Sequence, residues 1–462
     1  MVFSSLQFIG IFLPVFFTLY YCIPKKYQDY ALLLGSFVFY SVGAVHHPEH
    51  CILLIVSILI DYTAGLLMER SRTKSKIVLT AAVGFHLLSF IFFKYTPFVT
   101  GEAGKFFSAD VALDLVMPIG ISFYTFQGIS YLADIYRKKI HAEKSLLKFA
   151  VYIAMFEQLI AGPIVTYSKV EKELHNRKIE WKAAVKGFGI FILGLGLKVL
   201  LANPIGRLFT EVGNIGYESI STPLAWMAIF AYSFQLYFDF FGYSIMAVGL
   251  GEMLGFHLPK NFDFPYLSRS MTEFWRRWHI TLGSWFREYV YIPLGGNQTH
   301  PIRNLFLVWV FTGLWHGASY TFLLWGLVLF LIIVLEKYFL GKKLKKAPVL
   351  AHVYMLVLIP LTWAIFAIDD LSQLGLFFTR LFPFFGEGPW SIFRYDYVKY
   401  LGQYWYFFIA AILFSTKLPF LLLKRIAKKS KIVTGILLFA IFIGSVYCMY
   451  RGLDDPFLYF RF

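Results

Sequence analysis

Residues 305–335 read LFLVWVFTGLWHGASYTFLLWGLVLFLIIVL, and their reading decides the class of fold. Apart from His316 the stretch holds no Asp, Glu, Lys, Arg or His. It is long enough for two membrane-crossing helices broken near His316. An ionisable side chain at membrane depth is costly, which makes His316 a candidate functional residue. The plainer alternative is a packed imidazole that donates one hydrogen bond. Upstream, residues 274–279 (FWRRWH) give a second tryptophan–histidine pair, Trp278-His279, in a basic and aromatic setting.

Composition agrees with a membrane solvent. The 462 residues are 58% hydrophobic and 20% aromatic, and mean hydropathy is +0.63. A soluble chain of this length has too little interior for that apolar content. The apolar runs are helical in length, so a helical bundle is expected rather than a barrel. Residues 1–7 lack the basic region of a signal peptide. The net charge of +16 is what cytoplasmic loops collect by the positive-inside rule, and nucleic acid is not expected as a partner. Cys22, Cys51 and Cys448 are far apart and suggest neither a disulfide framework nor a metal motif. His46, His47 and His50 share a short loop without regular ligand spacing, so that loop reads as a solvated turn and no metal is expected.

Taken in order, apolar runs at 8–23, 30–45, 51–68, 77–93 and 118–133 alternate with loops whose basic members, such as Arg70–Lys76, belong on the cytoplasmic side. The run at 149–165 is flanked by basic loops at both ends and contains Glu157, Gln158 and Gly162-Pro163, so it reads as re-entrant. Further runs follow at 183–202, 224–256, 305–335, 350–368, 404–422 and 432–450. The expected fold is all-α: a polytopic helical membrane protein of about 11–13 spans plus re-entrant segments around a central histidine. Residues 1–462 are read as a single membrane-embedded domain with both ends outside. Membrane lipids are its surroundings.

A neutral histidine can take and return a proton near pH 7, as acyl transfer to a hydroxyl requires. The chain has no Gly-x-Ser-x-Gly elbow and no P-loop, so covalent serine chemistry and phosphoryl transfer lack support. Arg276, Arg277 and Arg287 lie among Trp275, Trp278 and Trp285, a surface suited to a phosphate-bearing ligand or to headgroup anchoring.

Seven blocks, in order, extend the reading. They are MPIGISFYTFQ at 117–127, QLIAGP at 158–163, YFDFFGYS at 237–244, NFDFPY at 261–266, FWRRWH at 274–279, YVYIPLGG at 289–296 and WHG at 315–317. Together they resemble the membrane-bound O-acyltransferase family, in its alginate O-acetyltransferase-like branch. Two departures stand out. Phe241 replaces a small serine, and Ile245 stands where alginate-type members usually carry Asp, as in the teichoic-acid D-alanyltransferase branch.

The resemblance implies that His316 is the membrane-embedded catalytic histidine and His279 the second histidine of the site. His279 or a nearby backbone N–H would stabilise the oxyanion. Asp239, Asn261, Arg277 and Trp315 would support them, Asp239 as an anchor or as a partner of the catalytic groups. The donor would be acetyl-CoA or an acylated carrier protein on the cytoplasmic side, with no tightly bound cofactor. The acceptor would be an extracytoplasmic polysaccharide, reached directly or through a separate extracytoplasmic acetyltransferase, and the setting a bacterial inner membrane. D-alanyl transfer to teichoic acid is the alternative within the class, and a transporter or exporter without acyl chemistry the rival outside it. The terminal PFLYFRF at 456–462 resembles the aromatic tail of alginate-type members, in which Tyr459 would relay the acyl group; an interfacial aromatic anchor is the plainer reading.

Overall fold

A computed structural model describes every residue except 108–112, 114, 383, 385–392, 453–457 and 459–462. The described residues form helices and connecting loops, with no strand among them. Among the described residues, seven helices are long and apolar enough to cross a membrane: Glu49–Arg70, Ser75–Phe107, Trp181–Ile215, Thr222–Leu254, Tyr320–Lys346, Pro348–Ala367 and Lys431–Tyr450. Asp396–Phe414 and Leu418–Lys429, bent by 72°, supply an eighth if they act together. The protein is therefore a multi-pass helical membrane protein. Several further apolar runs fold as shorter helices. Gln28–Gly43, Ile121–Tyr136 and Pro301–His316 have 16 residues each. At 1.5 Å per residue that is about 24 Å, less than the ~30 Å hydrocarbon core.

The 149–165 run does not cross as a helix. It breaks into Leu146–Ala154 and Phe156–Leu159, then leaves regular structure before Gly162 and Pro163. Every residue from Phe149 to Val165 is buried, which is the condition for irregular backbone at membrane depth. The Ser36 hydroxyl accepts a hydrogen bond from the Phe156 N–H at the break.

The chain packs as two compact units. One comprises Met1–Phe191, Ser244–Lys260 and Ser284–Val290. Its interior holds an Asp61–His86 pair at 2.8 Å, both side chains buried. Gly128 faces this pair because a Cβ there would lie 2.1 Å from the Asp61 carboxylate. Tyr289 donates to Asp134 at 2.8 Å, and the Trp285 indole donates to the Phe126 carbonyl at 2.9 Å.

The other unit comprises Ile192–Tyr243, Asn261–Gly283 and Tyr291–Phe462. Its tightest pairing is between Pro301–His316 and Tyr320–Leu335. Added Cβ atoms would lie 2.5 Å from the Phe322 carbonyl at Gly313 and 2.5 Å from the Trp309 carbonyl at Gly326. Glycine at both positions lets the backbones touch, as small residues do where membrane helices cross closely. Ser319 starts the second helix by accepting from the Phe322 N–H. His316 is thereby fixed at the C-terminal end of the first.

Candidate active site

Asn261 and His279 lie 18 residues apart and meet through two short stretches of backbone. Asp263 N–H donates to the Arg277 carbonyl, and Ile280 N–H to the Asn261 carbonyl, each at 2.9 Å. Between these bonds the chain turns from the Met271–Arg277 helix into the helix that begins at Ile280. His279 makes the turn with φ of 43°. That left-handed conformation is sparsely populated by residues other than glycine, and such outliers gather at functional sites.

The imidazole of His279 is buried, 2% exposed. Its Nδ1 lies 3.0 Å from Asn261 Oδ1. The same oxygen accepts from the Thr281 hydroxyl at 2.9 Å and from the Thr281 N–H at 3.3 Å. A backbone N–H can only donate, so this atom is the amide oxygen and Nδ1 carries the proton. Nε2 then holds a lone pair, and it has no hydrogen-bond partner among the described residues. Burial pushes the His279 pKa down to about 3, which keeps the ring neutral at physiological pH. The arrangement is a neutral, oriented imidazole with one open acceptor position.

Trp315 links this group to His316. Its ring centroid lies 6.3 Å from that of His279 and 4.7 Å from that of His316. His316 is partly exposed. Trp325 and Phe366 stand edge-on to it, both at 5.1 Å. The end of a helix favours positive charge, and so favours the imidazolium formed when His316 takes a proton. Gly317 follows because a Cβ there would overlap the Phe322 ring, 2.0 Å away.

The remaining expected residues are placed differently. Arg277 is half-buried and already partnered. Its guanidinium pairs with Glu273 at 2.6 Å and donates to the Asp263 carbonyl at 3.3 Å, bracing the turn that carries His279. Asp239 pairs with Lys198 at 2.5 Å, both side chains buried. Its other oxygen accepts from the Leu458 N–H at 2.9 Å. Asp239 thus ties down the chain near its C-terminus, while its neighbour Phe240 packs edge-on against His279 at 4.7 Å. Tyr459 lies outside the described residues.

Two features escaped sequence reasoning. Glu336 is buried and accepts from the N–H groups of Met271 and Thr272 and from the Thr272 hydroxyl, capping the short helix before His279. A Glu placed directly after the apolar 305–335 run was the available signal. The second is a tryptophan cluster: Trp363 lies 4.9 Å from Trp278, and Trp325 lies 5.5 Å from Trp275. Trp325 of this cluster stands beside His316 and makes that side of the site apolar.

The sequence profile of the membrane-bound O-acyltransferase family matches residues 70–342. The protein named "Probable alginate O-acetylase AlgI" in Pseudomonas aeruginosa is 36% identical over 411 residues, covering 85% of this chain and 76% of that protein. The peptidoglycan O-acetyltransferase of Helicobacter pylori is 35% identical over 372 residues, covering 71% and 69%. The teichoic acid D-alanyltransferase of Bacillus subtilis is 26% identical over 322 residues, covering 66% and 79%.

Proposed function

The chain belongs to the membrane-bound O-acyltransferase family, and from that premise we propose that it carries an acetyl group from a cytoplasmic thioester to hydroxyls of an extracytoplasmic polysaccharide. The observation that carries the reading is the pair of histidines flanking Trp315, one buried with an open Nε2 and one partly exposed at a helix end. Acetylating relatives are more similar to the chain than the alanylating one, which favours acetyl as the acyl group. Acetyl-CoA or an acylated carrier protein is the donor, and the membrane is the bacterial inner membrane.

In the proposed mechanism His316 takes the proton of the acceptor hydroxyl as the oxygen attacks the thioester carbonyl. The C–S bond then breaks, the ester C–O bond remains, and the imidazolium returns its proton to the thiolate. His279 has a different part from the oxyanion donor expected on sequence. With Nδ1–H committed to Asn261, its Nε2 can only accept while neutral, so it orients a hydroxyl or thiol proton. Oxyanion stabilisation then falls to backbone N–H groups.

The test is to measure base-labile acetyl and D-alanyl esters on surface polysaccharide in cells lacking the gene and in cells with it restored. Acetyl esters that fall and return with the gene support the reading. D-alanyl esters that track it instead, or neither ester changing, overturn it.

A further inference from the structure

The turn between Gln28–Gly43 and Glu49–Arg70 does more than reverse the chain. It closes tightly: the His47 N–H donates to the Ala44 carbonyl and the His50 N–H to the His47 carbonyl. This brings together side chains that irregular spacing had left looking unrelated. One ligand-capable atom from each of His47, Glu49 and His50 lies within 4.8 Å of the other two. The His47 and His50 rings stack at 5.0 Å with 17° between their planes. His47 Nδ1 meets Glu49 Oε1 at 2.9 Å.

We propose that His47, Glu49 and His50 form a three-ligand site for a borderline divalent cation, zinc or a close relative, with one coordination position open. The donor set is two imidazoles and a carboxylate, which suits zinc-like cations and not the hard, oxygen-seeking calcium or magnesium. Tetrahedral ligands at about 2.1 Å from a metal stand about 3.4 Å from one another. The three ligand atoms, within 4.8 Å of one another, reach that spacing by small side-chain rotations.

A second observation separates this cluster from a chance surface grouping. His50 is buried, 2% exposed, so the cluster is anchored in the protein and not carried wholly on its surface. Phe93 packs edge-on against the same ring at 6.1 Å and restrains it further.

The test uses the full chain purified in detergent without a polyhistidine tag, titrated with Zn²⁺ against a chromogenic chelator, and with Co²⁺ followed by its visible absorption. The expected result is one Zn²⁺ per chain at micromolar affinity and a Co²⁺ spectrum of tetrahedral intensity. Glu49→Gln, at an exposed position where folding is not at stake, weakens binding about tenfold or more. His47→Ala with His50→Gln abolishes it, while His352→Gln, outside the cluster, leaves it unchanged. Absence of stoichiometric binding in the wild type overturns the proposal, as does equal binding by Glu49→Gln and the wild type.

Discussion

His279 can accept a proton at one defined atom, and that property belongs to Asn261 as much as to the imidazole. Asn261→Leu keeps a side chain of similar size but removes the acceptor for Nδ1–H. We expect kcat to fall roughly 10–100-fold with KM little changed, since general acid–base groups contribute about 10²–10⁴-fold and here only orientation is lost. A change confined to KM would contradict a positioning role. The burial that drives the His279 pKa to about 3 sets a second expectation. Any inflection in the rate between pH 5 and 8 arises elsewhere, so it persists in the residual activity of His279→Gln. Its disappearance in that variant would assign the titration to His279. Most residues of the site were legible as motifs: His279, His316, Trp315 and Asn261 all stand in the ordered blocks. Their pairing was not. Asn261 and His279 are joined by backbone bonds that no periodicity encodes, and the pairing of Arg277 with Glu273, one helical turn away, was not singled out either.

At the scale of elements, short helices depend on single buried charges. The Met271–Arg277 helix has seven residues, too few to be stable alone. Glu336 satisfies its first N–H groups, and hydrogen bonds to a charged partner contribute about 1.5–3 kcal/mol each. Glu336→Ala therefore lowers the thermal midpoint and removes activity together. An unchanged midpoint would show that the cap is dispensable. Long spans such as Lys431–Tyr450 were plain in the sequence because hydropathy alone marks them. Breaks such as the one at Met155 were not, because they are set by burial against neighbours and not by local composition.

For the molecule as a whole, distant parts of the chain are held by buried polar contacts in an otherwise apolar protein. Asp239 joins Lys198 and Leu458, so Asp239→Ala leaves a buried ammonium without its carboxylate, and breaking such a pair costs about 3–5 kcal/mol. Loss of accumulated protein is expected, with partial rescue when Lys198→Met removes the stranded charge; no rescue would mean that Asp239 acts through other partners. Orientation is a separate expectation, from charge alone. A Lys343→Cys variant lacking the native cysteines should react with an impermeant thiol reagent only after the membrane is opened, and labelling in intact cells would invert the arrangement. The most direct measurement concerns the claim that acyl transfer runs through His316. His316→Ala is introduced into cells lacking the native gene, its level in the membrane is matched to wild type, and acetyl esters on the surface polysaccharide are quantified. The account predicts normal accumulation with acetyl esters reduced by about 10²–10⁴-fold. Near-normal acetylation by a well-accumulated His316→Ala protein would contradict it.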